Sequence, residues 1–270
     1  MVKCLTLNTH SWMESDPLHK LQDIVAQILK EDYDIICLQE INQEIVSQPV
    51  QELATYSEIV GTPTIHQDNF ALHLVNLLQK QGKTYYWSWA YNHIGYDKYH
   101  EGVAILSKTP IKPQAVLVSD VDDEYDYHTR RVLLADTEID GRALTVVSLH
   151  LSWYGKGFEG EWKKLEAELQ GQKTPLILMG DYNNPTDEEG YQVILSSSLN
   201  LKDSHKSANI VSGEYTIKAD IDGWSGNEKN LKVDHAFVSK ELEILSSQVV
   251  FDGNETPVVS DHFGLAISFK

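Results

Sequence analysis

The chain has 270 residues, of which 41% are hydrophobic, and 22 basic against 40 acidic residues give it a net charge of −18. This charge repels polyanions at long range and argues against a general nucleic-acid-binding protein, which normally presents a basic face. The only two cysteines, Cys4 and Cys37, lie in apolar runs and exclude a disulfide-rich scaffold. No apolar segment is long enough to cross a membrane, so we expect no membrane association. The low cysteine count and the lack of a signal-peptide pattern favour a cytoplasmic protein. We also expect a monomer.

Apolar runs rich in β-branched residues predict eight strands, at 2–8, 34–40, 102–108, 131–139, 143–151, 175–181, 233–240 and 264–270. Many of these runs are continuous rather than alternating, as in strands that are covered on both faces. Apolar residues at helical spacing predict helices at about 18–30, 68–81 and 159–170. We expect Asp16 and Pro17 to be the N-cap and first residue of the first helix. Thr186 and Glu189 have the spacing of a capping box.

The order of these elements predicts the fold class. Strand–helix–strand units come first, and strands with long loops predominate afterwards, without a repeat or a low-complexity linker. This order favours an α/β fold in which sheets pack face to face with helices outside, in one domain covering 1–270.

Polar residues are concentrated where the predicted strands begin or end. They are Asn8, Glu40, His150, Asp181, Asn183, Asp234 and the run Ser260, Asp261 and His262. Loops at strand ends often carry chemistry, because a rigid scaffold fixes their positions. The set is rich in oxygen and lacks cysteine, which favours Mg²⁺ or Mn²⁺ over a thiolate zinc site. Each residue alone has an ordinary explanation as a turn or interior residue, so the prediction depends on their occurrence together.

In this order, the segments LTLN, LQE, SLHL, GDYN, VDHAF and SDH resemble the endonuclease/exonuclease/phosphatase superfamily. That superfamily includes DNase I-like nucleases, inositol polyphosphate 5-phosphatases and neutral sphingomyelinases. The resemblance covers the whole chain and implies a four-layer α/β sandwich, with two mixed β-sheets packed face to face and flanked by helices. It also implies hydrolysis of a phosphate ester by direct attack of water, with Mg²⁺ or Mn²⁺ as the cofactor.

The resemblance further implies a role for each matching residue. The implied metal ligands are Asn8, Glu40 and Asp261. The implied catalytic residues are Asp181 and Asn183 at the water and phosphate, His262 oriented by Asp234, and His150. Glu101, in HEGVAILS, matches a glutamate that pairs with the histidine equivalent to His150 in some members. Either Arg130 or Arg131 matches an arginine that contacts phosphate, and the doublet leaves that choice open.

The substrate is a separate question, because this superfamily cleaves both monoesters and diesters. The acidic composition, with no basic cluster and no basic amphipathic helix, disfavours DNA and membrane lipid. Aromatic residues are dense in 84–99 and recur in 122–128 and 150–158, where they either fill the core or form platforms for sugar rings. Asp122, Asp123 and Asp126 either accept hydrogen bonds from sugar hydroxyls or form a solvated acidic loop.

Three stretches, LNTHSWME, NHIGYDKYHEGVAILS and DEEGYQVIL, are similar to a bacterial branch, the maltose 6′-phosphate phosphatases. This similarity implies a small phosphorylated sugar, such as maltose 6′-phosphate, as the substrate. The alternatives are a DNase-like endonuclease or other phosphodiesterase, a phosphatase for another small metabolite, and a catalytically silent binding module. The first alternative would bind nucleic acid, a partner that the acidic composition disfavours but does not exclude.

Overall fold

The computed structural model describes residues 1–270, and they form two β-sheets with helices on both outer faces. The strands are β1 (Val2–Asn8), β2 (Ile35–Glu44), β3 (Tyr86–Gly95), β4 (Tyr99–Ser107), β5 (Lys112–Leu117), β6 (Arg131–Ile139), β7 (Arg142–His150), β8 (Leu176–Asp181), β9 (Leu201–Asp203), β10 (Ile210–Ser212), β11 (Asp234–Ser239), β12 (Ile244–Val250) and β13 (Gly264–Phe269). The helices are α1 (Pro17–Glu31), α2 (Phe70–Lys80), α3 (Phe158–Leu169), α4 (Glu189–Leu195) and α5 (Ser204–Ser207), with a 3₁₀ turn at Ser11–Met13.

Both sheets are mixed. One has seven strands in the order β10-β12-β13-β1-β2-β4-β3, and the other has six in the order β5-β6-β7-β8-β11-β9. Each contains a central parallel pair, β1 with β2 in the first and β7 with β8 in the second, among antiparallel neighbours. The predicted sandwich of two mixed sheets flanked by helices is therefore confirmed.

Alternation along the strands explains why their sequences are apolar throughout. In β2, Ile36 and Leu38 pack in a cluster with residues of α1 and α2, whereas Ile35 and Cys37 pack against the six-stranded sheet. A third cluster lies between that sheet and helices α3 and α4. Because successive side chains of a strand point to opposite faces, a strand covered on both sides needs apolar residues at every position. The two free cysteines are both buried in this core.

Eight of the strands and three of the longer helices lie where the sequence predicts them. The strands at 2–8 and 131–139 have the predicted bounds, and β2 and β4 extend four and three residues beyond theirs. Five strands were not assigned individually: β3, β5, β9, β10 and β12. Of these, β9 and β10 are only three residues long, which is too short to show a periodic pattern in the sequence. None of the helices is both long and apolar enough to cross a membrane.

The two predicted helix starts are only partly correct. Pro17 is the first residue of α1, but Asp16 has a left-handed backbone (φ 53°) and its side chain makes no capping hydrogen bond. A capping side chain normally needs an extended backbone at this position. The capping box of Thr186 and Glu189 is wrong, because α4 begins only at Glu189. The backbone N–H of Thr186 donates instead to the carbonyl of Lys232, 3.1 Å away.

Candidate active site

The two parallel strand pairs bring polar residues from both sheets to one edge of the sandwich. The pairing of β1 with β2 ends at Asn8 and Gln39, next to Glu40, while His150 and Asp181 are register partners at the ends of β7 and β8. The Asn8 amide group joins the sheets, because its Nδ2 donates to Glu40 Oε1 at 2.9 Å and to Asp181 Oδ2 at 3.1 Å. Its Oδ1 accepts from the backbone N–H of His10 at 3.2 Å.

Asp181 lies at the centre of this group. Its Oδ2 is 3.5 Å from His150 Nε2 and 3.7 Å from His262 Nε2, and its Oδ1 accepts from the backbone N–H of Asn183 at 2.8 Å. Burial raises the pKa of Asp181 to about 6, with the charge of His262 opposing this rise. The glycine of GDYN is required here, since a Cβ on Gly180 would lie 2.0 Å from the carbonyl oxygen of Leu149 on the neighbouring strand.

The two histidines beside Asp181 differ in charge. His262 Nδ1 lies 2.9 Å from Asp234 Oδ2. Burial acts to lower the pKa of His262, but the charges of Asp234 and Asp181 raise it well above its usual range. Burial holds the pKa of His150 well below its usual range, and the charges of Arg130 and His262 lower it further. At neutral pH the site therefore has one imidazolium and one neutral imidazole.

Glu40 has the environment of a cation ligand. Its Oε2 is buried without a hydrogen-bond partner. Burial raises the pKa of Glu40 to about 8, and the charges of Glu101 and Asp261 contribute to the rise. A bound divalent cation would give the free oxygen a partner and offset the repulsion among the three carboxylates. The residues present thus fit a hard divalent cation.

Two other groups have ligand atoms within 4.8 Å of one another: His10, Glu14 and Asp261, and Asp181, Asp234 and His262. In each group the histidine already pairs with a carboxylate, at 2.8 Å for His10 and Glu14. Because such a pair is compensated in charge, these groups attract a cation less strongly than Glu40 does. Glu14 instead joins loops, accepting from Lys20 and from the backbone N–H of Asp261 at 3.0 Å.

The structure separates the two adjacent arginines. Arg130 lines the catalytic cleft, is almost fully buried, and its Nε has no partner in the protein. Arg131 points away, where its guanidinium donates to the carbonyls of Tyr91 and Asn92 and pairs with Asp122. Of the two arginines that the sequence left open, Arg130 is therefore the candidate for phosphate contact.

The predicted partner of Glu101 also changes. Glu101 Oε1 lies 3.4 Å from His93 Nε2 and makes no ion pair with His150. The hairpin of β3 and β4 pairs His93 with Glu101 in register, each four residues from Asp97 in the turn. His93 was missed at the sequence level, although this symmetric spacing about the turn was available as a signal.

The cleft has a volume of about 760 Å³, and its floor contains Glu40, Glu101, Arg130, His150, Asp181, Asn183 and His262. Of the seven aromatic residues in 84–99, only Tyr96 lines it; Tyr85, Trp87, Trp89, Tyr91 and Tyr99 are buried. The other aromatic lining residues are Tyr125, Tyr127 and Trp153, from the two further aromatic loops. Asp122, Asp123 and Asp126 do not line the cleft: Asp122 pairs with Arg131, and Asp126 pairs with His128.

Asn183 is fixed by contacts that the sequence did not indicate. It has a left-handed backbone (φ 51°), which asparagine tolerates. Its Nδ2 donates to the carbonyl of Leu151 at 2.9 Å, and its Oδ1 accepts from Trp224 Nε1 at 3.1 Å. The second N–H of the amide has no hydrogen-bond partner in the protein, and Asn183 lines the cleft.

The comparisons with known proteins agree with this geometry. A family model described as "Endonuclease/Exonuclease/phosphatase family" matches residues 12–262. A solved structure described as an endonuclease/exonuclease/phosphatase family protein from Leptotrichia buccalis is 27% identical, with a TM-score of 0.86 and 100% of each chain covered. No curated protein sequence matches the chain.

Two more distant structures support the fold alone. One, from Bacteroides thetaiotaomicron, is described as a mannosyl-6-phosphatase and is 17% identical, with a TM-score of 0.69 and 100% of each chain covered. The other is the catalytic domain of human Nocturnin with a bound sulfate, 19% identical, with a TM-score of 0.65 and coverage of 100% of this chain and 93% of that one.

Proposed function

The chain belongs to the endonuclease/exonuclease/phosphatase family, and on this basis we propose that it is a divalent-cation-dependent phosphomonoesterase acting on a small phosphorylated sugar. Members of this family are hydrolases of phosphoric esters and generally use divalent metals. Maltose 6′-phosphate is our candidate substrate. A monomer suffices, because one chain supplies all the groups of the site.

The observation that carries the proposal is the contrast between the floor and the walls of one cleft. The floor holds the groups that phosphate-ester hydrolysis needs, and the walls hold solvent-exposed aromatic rings. Tyr125 and Tyr127 are 78% and 56% exposed. Exposed tyrosine rings with polar edges suit sugar rings, which combine apolar faces with hydroxyl groups. The distant neighbour described as a mannosyl-6-phosphatase supports the same substrate class.

The walls do not suit a polynucleotide. They carry two acidic residues, Asp97 and Asp222. Apart from histidines, the basic residues of the whole cleft are Arg130 on the floor and Lys156 on a wall. A protein that tracks a nucleic-acid backbone normally needs several basic contacts to successive phosphates. One buried arginine with one lysine is enough for a single phosphate.

In the proposed mechanism, Arg130 and the His262 imidazolium bind the phosphoryl oxygens and stabilise the negative charge that develops on them. Glu40, Asn8 and Asp261 would hold Mg²⁺ or Mn²⁺, which supplies Lewis-acid stabilisation of that same charge when bound. Both contributions are needed because the substrate is an anion that repels an incoming nucleophile.

Asp181 orients the attacking water and accepts its proton. With a pKa of about 6, its carboxyl group is mostly ionised at neutral pH yet close enough in basicity to take up a proton. Asn183 offers its remaining amide N–H to the phosphate, and Asp234 keeps His262 charged and oriented. His150 presents a neutral imidazole on the other side of Asp181. Water attacks phosphorus directly as the bond from phosphorus to the sugar oxygen breaks. The sugar leaves as an alcohol after that oxygen gains a proton from solvent, and Asp181 later returns its proton to solvent.

The test is phosphate release by the purified protein with Mg²⁺, with Mn²⁺ and with EDTA. Substrates are maltose 6′-phosphate, mannose 6-phosphate, glucose 6-phosphate, an inositol phosphate and a nucleotide, with plasmid nicking in parallel. We expect metal-dependent release from a sugar phosphate and an intact plasmid. Asp181→Asn should lower turnover by about 10²-fold or more, whereas Asp203→Asn, which changes a buried carboxylate outside the cleft, should not. Plasmid nicking without release from any monoester would refute the proposal.

A further inference from the structure

A loop between a strand of the seven-stranded sheet and a strand of the six-stranded sheet lines the cleft. Residues 218–230, which we call the bridge loop, lie between β10 and β11 and are closed at their base by Ile217 and Leu231. These two residues exchange backbone hydrogen bonds of 2.9 and 3.1 Å. A loop whose ends are held together in this way is a compact surface excursion, a form that is frequently functional.

The bridge loop is attached on both sides of the cleft. On one side, Trp224 donates to Asn183 Oδ1 at the end of β8, and its ring lies 6.4 Å from that of Trp153. On the other side, the hydroxyl group of Tyr96 donates to Asp222 Oδ2 at 2.5 Å. Tyr96 lies in the turn between β3 and β4 of the seven-stranded sheet. The loop thus connects the two sheets across the edge where the catalytic residues lie.

The Tyr96–Asp222 contact lies in the same cleft as Glu40. Burial, followed by the charges of Glu40 and Asp222, raises the pKa of the Tyr96 hydroxyl. That hydroxyl group therefore stays protonated and remains a donor to Asp222. Tyr96, Asp97, Asp222 and Gly223 all line the same cleft. Together they form a wall that carries the carboxylates of Asp97 and Asp222.

This wall has a different consequence for monoesters and for diesters. A phosphomonoester has one organic substituent and needs one exit from the floor, which the side lined by Tyr125, Tyr127 and Lys156 provides. A phosphodiester has two substituents, so a second exit is needed when phosphorus lies against Asp181. The Tyr96–Asp222 hydrogen bond, which joins the β3–β4 turn to the bridge loop in this cleft, would obstruct that second exit. The carboxylates of Asp97 and Asp222 would repel a further phosphate.

We propose that the Tyr96–Asp222 hydrogen bond closes one end of the cleft and is the specificity determinant that restricts the enzyme to terminal phosphate groups. The inference rests on the proposed function, since it explains how a hydrolase of this family selects monoesters. Neither residue touches the reacting atoms.

The test uses two substrates with the same leaving group, p-nitrophenyl phosphate and bis(p-nitrophenyl) phosphate. Tyr96→Phe removes the donor and keeps the ring, and Asp222→Ala removes the acceptor. Glu228→Ala is the matched control, because it removes an exposed carboxylate from the same loop away from the bridge. For each protein, kcat and KM are measured with Mg²⁺, and folding is checked by thermal unfolding.

We expect Tyr96→Phe and Asp222→Ala each to raise the ratio of kcat/KM for the diester to kcat/KM for the monoester by about tenfold. This factor corresponds to the lower value for the contribution of a hydrogen bond to a charged group. The monoester kcat should stay within about threefold, because the catalytic groups remain. The double variant should match the single ones, since both remove one contact. The control should keep the wild-type ratio.

The failures of the two proposals can be told apart. If the wild type hydrolyses the monoester and both bridge variants keep its ratio, the bridge inference is refuted and the proposed function stands. If the wild type prefers the diester, the proposed function fails, and the inference fails with it. Should Asp222→Ala not fold, Tyr96→Phe decides alone, because the phenylalanine ring fills the same space. If Glu228→Ala raised the diester-to-monoester ratio equally, the effect would come from the charge of the loop, and the inference about the Tyr96–Asp222 hydrogen bond would be refuted.

Discussion

Replacing Asp234 with asparagine tests how the charge of His262 is maintained. The two side chains are buried, with His262 Nδ1 2.9 Å from Asp234 Oδ2. The charge of Asp234 is the largest contribution that raises the pKa of His262 against the opposing effect of burial. Leaving one member of a buried ion pair uncompensated costs about 3–5 kcal/mol. We therefore expect His262 in the variant to lose its proton near neutral pH rather than remain charged.

A neutral His262 keeps its position but brings no positive charge to the phosphate. Loss of one electrostatic donor of this kind costs about 3–4 kcal/mol of transition-state stabilisation, which corresponds to about 10²–10³-fold in kcat. The sign of the pH dependence follows from the same reasoning. The variant should recover activity relative to the wild type as pH falls, because its His262 regains a proton while the wild-type His262 is charged throughout.

The assay is kcat for a sugar phosphate from about pH 6 to pH 8, expressed as the ratio of variant to wild type. The two losses of charge, at Asp234 and at His262, act on the pKa of Asp181 in opposite directions, because the charge of His262 lowers that pKa and the charge of Asp234 raises it. The control is Asp203→Asn, another buried carboxylate, which accepts from the hydroxyl group of Tyr191 at 2.6 Å outside the cleft. It should lower the melting temperature without changing the pH profile. A ratio for Asp234→Asn that is near one, or that is low but independent of pH, would refute the reasoning.

Three further predictions concern the cation, the phosphate and the loop contacts. Glu40 has a folded-state pKa of about 8 against an ordinary 4.5, so the metal-free protein keeps a proton that the unfolded chain releases. Its unfolding free energy should therefore fall as pH rises between these values, and either Mg²⁺ or Glu40→Gln should flatten that fall in denaturant titrations. Arg130→Gln should raise KM for the sugar phosphate by about tenfold or more, because a contact between charged groups is lost. Arg131→Gln is the control and should leave KM unchanged. Equal effects of the two variants would contradict the assignment of phosphate contact to Arg130. Glu14→Gln should weaken Mg²⁺ binding by about tenfold, the range seen when the support of a metal ligand is lost, because Glu14 holds the backbone of Asp261; calorimetry showing wild-type affinity would exclude this role.

The sequence determined the chemistry of the site and most of the scaffold. Strands such as 2–8 and 131–139 could be predicted because burial on both faces requires apolar residues throughout, and that requirement is local. Asn8, His150 and Asp181 could be placed together because each follows such a strand. The types of residue indicated a hard cation, whereas the phosphate ester followed from the resemblance to the family.

Only the tertiary structure decided which of these residues face one another. Asn8 contacts Asp181 across 173 positions of the chain, and Tyr96 contacts Asp222 across 126. Adjacent arginines at 130 and 131 are equivalent in sequence, yet one enters the cleft and the other pairs with Asp122. Successive side chains near a strand point to opposite faces, and the stacking of the two sheets decides which face is the cleft. That stacking decides which site residues are hydrogen-bond partners, which of them are protonated, and which end of the cleft is closed. No local sequence pattern encodes it.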